Sequence, residues 1–147
     1  MKFLLAAVTA IGVFALTGCT PLVTLDPAAD ANNPACANVM VRMPDSLDSN
    51  DIRATSSQAT SAWGNPAAVI LRCGLPEVTV SKLTCVTSSG VDWLVDDSKK
   101  PSYRFVTFAR KPAIEVIVDS TKVAGVTALD ELALAVQQIP ARDKCLG

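Results

Sequence analysis

Among 147 residues there is no histidine, which removes every His-based triad, the commonest general base and the commonest metal ligand. Catalysis would fall to carboxylates, Lys, Tyr or Ser. Asp92, Asp96, Asp97 and Glu115 are the acidic residues from which a glycosidase-like pair could be drawn, if their separation suited it. Asp96 and Asp97 lie in a turn-forming run, where Asp is expected for backbone reasons. Ser81 with Lys82 and Ser98 with Lys99 put a hydroxyl beside an amine without any surrounding motif. A different constellation is Trp63, Arg72, Asp92, Trp93 and Arg110. Its aromatic faces and guanidinium groups could stack on a sugar or clamp an anionic group, forming a binding surface. The plainer alternative puts Trp93 in the core, closes a loop over it with Trp63, and pairs Asp92 with Arg72 or Arg110.

Five cysteines divide into one and four. Lys2 and the apolar run "FLLAAVTAIGVFALT", Phe3 to Thr17, have the dimensions of a signal peptide and are short for a membrane span, which needs about 20 residues. Leu16, Thr17, Gly18 and Cys19 then look like the lipobox of bacterial lipoproteins, in which the cysteine receives a diacylglyceryl group and becomes the mature N-terminus. Two acyl chains give stable anchoring where one gives only marginal binding. Cys19 is therefore expected to carry lipid, with the protein on the outer face of the cell membrane. The remaining Cys36, Cys73, Cys85 and Cys145 are an even set in an exported chain, which favours two disulfides. Zinc is disfavoured by long spacings, the lack of any C-x-x-C and the lack of histidine, so no metal and no cofactor is expected. Of the three possible connectivities, the preferred one joins Cys73 to Cys85 across a local loop and Cys36 to Cys145 across the domain.

Without Lys2 the charge is twelve Lys plus Arg against fourteen Asp plus Glu, a net of minus two. That balance argues against nucleic-acid binding, which needs a basic patch. The chain length suits one domain. The expected organisation is a signal peptide over 1–18, a lipidated tether over 19–33 and a single α+β domain over 34–147.

The elements that must position these residues follow from pattern. Asn33 caps and Pro34 opens a helix with Cys36, Val39, Met40 and Met43 at helical spacing, ended by Pro44. "PDSLDSND" reads as a polar turn, "DIRATS" as an edge strand and "SSQATSAWGNP" as a loop. "AVILRCG", "GVDWLVDD", "YRFVTFAR" and "AIEVIVD" are short, β-branched and aromatic, and read as four strands joined by tight turns. Val91, Trp93 and Val95 share one face of their strand; Ile114, Val116 and Val118 share one face of theirs. Thr127 is placed to cap "ALDELALAVQQI", with Asp130 completing a capping box and Leu129, Leu132, Ala133, Val136 and Ile139 forming an apolar stripe. The expected fold is α+β: a small antiparallel sheet of four to five strands with an N-terminal and a C-terminal helix, stapled by two disulfides.

"CANVMVRMPDSL", "AWGNPAAVILRCG", "GVDWLV" and "YRFVTFARKPAIEVIV" together resemble a family of small actinobacterial exported proteins catalogued as a domain of unknown function, number 3515. The resemblance runs from about Cys36 to Cys145 and is most specific at Trp63 to Pro66, Leu71 to Gly74 and Val91 to Trp93. It implies an envelope location and carries no catalytic residues. The expectation is a lipid-anchored cell-envelope protein, a non-catalytic binding or accessory module with an envelope protein or glycan as partner. The alternative is a carboxylate-dependent envelope hydrolase or transferase.

Overall fold

The computed structural model describes residues 21–145; Cys19 and the expected signal peptide lie outside them. The chain makes α1 (Pro34–Met40), then β1 (Ser46–Leu47), β2 (Asn50–Arg53), β3 (Thr60–Trp63) and β4 (Val69–Leu75). β5 (Thr84–Ser88), β6 (Val91–Lys99), β7 (Ser102–Thr107), β8 (Ala113–Asp119) and α2 (Gly125–Val136) follow. All strands form one antiparallel sheet in the order β1-β2-β3-β4-β8-β7-β6-β5. Two meanders, β1 to β4 and β5 to β8, are thus joined where β4 pairs β8.

The expected fold is corrected in scale: the sheet has eight strands, not four or five, and dominates two short helices. The four apolar runs are β4, β6, β7 and β8. The missed strands are polar or small: β3 is "TSAW", β5 is "TCVTS", and β1 with the start of β2 lies inside the stretch read as a turn. They are short and lack a continuous apolar run, although Thr, Val and Trp favour strands, and each is completed by backbone pairing with a neighbour.

Register explains which face is buried. Trp63, Val69, Leu71 and Cys73 lie level with Val118, Val116 and Ile114, and across β7 with Tyr103 and Phe105. With Val91 and Trp93 they make the face that α1 and α2 cover, through Cys36, Val39, Leu129, Leu132 and Val136. α1 is capped as expected, Asn33 Oδ1 accepting from Ala35 N at 3.0 Å. α2 is not: it begins at Gly125 after Ala124 with no side-chain cap, so Thr127 is inside the helix. Asp130 instead accepts from the hydroxyls of Ser88 and Ser89 on the β5–β6 hairpin. The close approach that fixes this start is Gly125 against Phe105, where a Cβ would meet Cζ at 2.9 Å.

The opposite face is polar and partly covered by irregular chain. The β4–β5 connection crosses it, with Ala109 N on Val78 O at 2.8 Å. The C-terminal residues lie beside it, with Arg142 N on Ala109 O at 2.8 Å, over a small cluster of Leu94, Phe108 and Ala109. The stretch expected as a tether also packs from Pro21 onward. Val23 N bonds Ala54 O at 3.0 Å, Ser56 N bonds Val23 O at 3.0 Å, and Asp30 N bonds Gly74 O at 2.9 Å. Gly74, at φ +111°, leaves room for that approach: a Cβ there would lie 2.5 Å from the Asp30 backbone.

Both disulfides form, but the preferred pairing is wrong. Cys36 joins Cys73 and Cys85 joins Cys145. Cys73 and Cys85 cannot pair because β4 is central and β5 is the far edge strand. Each bond closes within one meander and its adjoining helix or tail. The loop-entropy model gives about 4 kcal/mol for each closure. Cys36 and Cys73 are fully buried, whereas Cys85 and Cys145 are half-exposed. Non-reducing peptide maps should join 36 to 73 and 85 to 145, and a titration with mild thiol should open 85–145 first, since exchange requires access. Simultaneous opening of both would contradict this burial.

Candidate functional site

The five residues expected to form a binding surface do not share one. Trp63 and Trp93 have no exposed surface; both belong to the helix-covered core. Trp63 Nε1 donates to Pro44 O at 3.0 Å, while Trp93 Nε1 has no hydrogen-bond partner. Arg72 and Arg110 lie apart. Arg72 donates to Glu115 at 2.6 Å through Nε, with a second contact of 2.5 Å from Nη2. Arg104 holds the other Glu115 oxygen from β7. Glu115 is 2% exposed, the arginine side chains 30% and 39%, so one buried carboxylate is neutralised by two guanidinium groups bridging three strands.

Arg110 is buried and donates to Ile139 O, its Nε having no partner. Burial pushes its pKa down, opposed by the charge of Asp92. Asp92 accepts from Thr87 Oγ1 at 2.5 Å and from Cys145 N at 3.0 Å, fastening the C-terminal residues to β6. It pairs with neither Arg72 nor Arg110. Asp96 takes Ser98 N at 3.0 Å, and Asp97 pairs Lys100 at 2.6 Å; both pKa values are lowered, by Ser98 and Lys100 respectively. Asp96, Asp97 and Ser98 are thus in the last part of β6, at its register shift, not in the expected turn, while Ser81 Oγ accepts from Leu83 N in the β4–β5 connection.

An apolar concave feature sits elsewhere, on the helix-covered side between α2 and the β5–β8 half of the sheet; a larger, more polar hollow lies on the other face beside Cys85 and Cys145. The apolar feature is a groove of about 350 Å³ with a floor of Val95, Tyr103, Phe105 and Val118 and a wall of Val126 and Leu129. Val86 and Val126 stand exposed at its lips. At the groove α2 meets the sheet at a glycine, Gly125, which lies tight against Phe105. The rim is fixed by polar contacts. Asp130 ties α2 to Ser88 and Ser89, Gln137 Nε2 donates to Ser89 O at 2.8 Å, and Ser120 Oγ donates to Pro101 O at 2.9 Å. Those hydroxyls hold the Asp130 pKa below the usual range, and Asp119 is lowered likewise by Thr121. Lys100 lies 5.9 Å from the Tyr103 ring centre. Sequence reading missed this groove because Tyr103, Phe105 and Val95 have the alternation of ordinary core. The one signal was the glycine opening α2.

Among the described residues, no cluster of three acidic or cysteine ligands could hold a metal, and no helix is long and apolar enough to cross a membrane. The family model described as "Protein of unknown function (DUF3515)" matches residues 3–144. The chain belongs to that family. No curated protein and no solved structure matches it. Within this DUF3515 member the three most specific sequence stretches have structural assignments. Trp63 fills the core, Arg72, Cys73 and Gly74 supply an ion pair, a disulfide and a close approach, and Val91 to Trp93 provide core and the Asp92 clamp.

Glu115→Ala would leave two arginines facing an apolar gap. It should lower stability by roughly 2 to 4 kcal/mol, less than for fully buried pairs because both arginines keep some water. Urea unfolding measures this; an unchanged midpoint would show that Glu115 is dispensable. Trp93→Ala should cost about 3 to 5 kcal/mol as a core deletion, measured in the same way.

Proposed function

We propose that this protein is a non-catalytic binding module of the cell envelope, held on the outer face of the cell membrane by lipid on Cys19. Its recognition site is the groove between α2 and the β5–β8 meander. The single observation that carries the binding role is that groove: preformed, apolar, aromatic-floored and of a volume typical of ligand sites. An apolar group of an envelope partner is the chemistry it fits. What the carboxylates do also supports binding over acid–base work. Glu115 is clamped by two arginines, Asp92 by Thr87 and Cys145 N, and Asp96, Asp97, Asp119 and Asp130 have lowered pKa values, the opposite of what a general acid requires. The anchor rests on the "LTGC" sequence and the apolar run before it.

An environment-sensitive apolar dye should bind the purified protein saturably, with one site, and Val126→Asp at the lip should weaken binding at least several-fold while leaving the unfolding midpoint nearly unchanged. Equal binding by both proteins would remove the groove as the site. Cys19→Ser should leave the protein soluble or unprocessed on cell fractionation. A processed, membrane-bound Cys19→Ser protein would refute the lipid anchor.

A further inference from the structure

The position of Pro21 fixes how the domain meets a membrane. This inference rests on the proposed lipid at Cys19. Residues 19 to 21 span two Cα steps, at most about 7 Å in any conformation, and Pro21 is already fastened to the domain. Arg53 Nη2 donates to Pro21 O, while Nη1 donates to Gly64 O at 3.2 Å and Asn65 Oδ1 at 3.3 Å. Val23 forms a parallel bridge with Thr55, beyond the end of β2. Leu25 N takes Ser56 Oγ at 3.0 Å, and Leu25 O accepts from the Ser57 hydroxyl. The first described residues thus run along the outer margin of the sheet beside β2.

A lipid two residues before Pro21 cannot hold the domain away on a flexible tether. It brings this margin against the headgroups. The surface there suits an interface: Leu22 is 55% exposed and Ile52 39% exposed, and the Arg53 guanidinium is held by three neutral oxygens. Exposed apolar side chains at the point of anchoring are what the interfacial zone of a bilayer accepts. Asp51, exposed on β2, adds a negative charge to this margin, so the apolar side chains rather than charge carry the fit to an interface. The groove lies farther along the sheet, its floor running from β8, three strand spacings from β2, to its lip on β5. From β2 to β5 is six strand spacings, roughly 30 Å.

We propose that the margin formed by Pro21 to Val23 and β2 is a docking surface for phospholipid headgroups, so that the groove beside β5 opens away from the bilayer. The test uses full-length processed protein in vesicles of phosphatidylcholine and phosphatidylglycerol doped with headgroup spin-labelled lipid. Leu22, Ile52 and Val126 are each replaced singly by a fluorescent amino acid. Quenching at 22 and 52 should exceed that at 126 several-fold, and a Gly/Ser linker inserted between Thr20 and Pro21 should reduce the difference while the protein still sediments with the vesicles. Equal quenching at all three positions in sedimenting protein would overturn the docking surface and leave the anchor intact. Mass spectrometry showing no lipid on Cys19 would overturn the anchor and, with it, this orientation.

Discussion

The pairing of β4 with β8 is the constraint on which the molecule depends. Val69, Leu71 and Cys73 stand opposite Val118, Val116 and Ile114, and this single seam converts two local meanders into one sheet. It joins residues 38 to 49 positions apart in sequence, so its backbone bonds form only after a costly loop closure. The same seam places Arg72 opposite Glu115 on the polar side. A slip of one residue would turn Glu115 into the core and Val116 out of it. The ion pair and the apolar ladder therefore specify the same register from the two faces.

From that seam the remaining architecture follows in order. β8 leads directly into α2, which covers the apolar face it has just completed. β4 must reach β5 at the far edge, and the connection it uses covers part of the polar face. The groove is a by-product of this arrangement. α2 starts tight against Phe105 at Gly125, and the space between Val126 and Leu129 on the helix and Val95 and Tyr103 on the sheet is left unfilled. Binding potential arises where packing is incomplete, and the polar ties of Asp130 and Gln137 keep it from collapsing.

How much of this was legible beforehand depends on what each residue's neighbours had to supply. The N-cap of α1 was readable because Asn33 and Pro34 act within one turn of chain. The apolar strands β4, β6, β7 and β8 were readable because their own residues carry the pattern. β3 and β5 were not, since each is short and mixed in character and becomes strand by hairpin pairing with β4 and β6. Thr127 and Asp130 had the spacing of a capping box, yet Asp130 found hydroxyls on the β5–β6 hairpin, a tertiary contact no local rule contains. The Trp and Arg constellation failed for a related reason. Large aromatic and charged residues are as suited to a buried structural role as to a surface one, and spacing does not separate the two. Cysteine pairing needed strand order, which only the β4–β8 seam reveals.

The two disulfides are two separate rings. One lies wholly before the β4–β5 connection and the other wholly after it, with exposed Val80 in the segment between. A single cut in that segment would leave no covalent link between the fragments, each keeping its own crosslink and holding the other only through the β4–β8 seam and the shared core. One backbone cut there would therefore divide the protein into two complementary fragments, each with its own crosslink, suited to being produced apart and reunited.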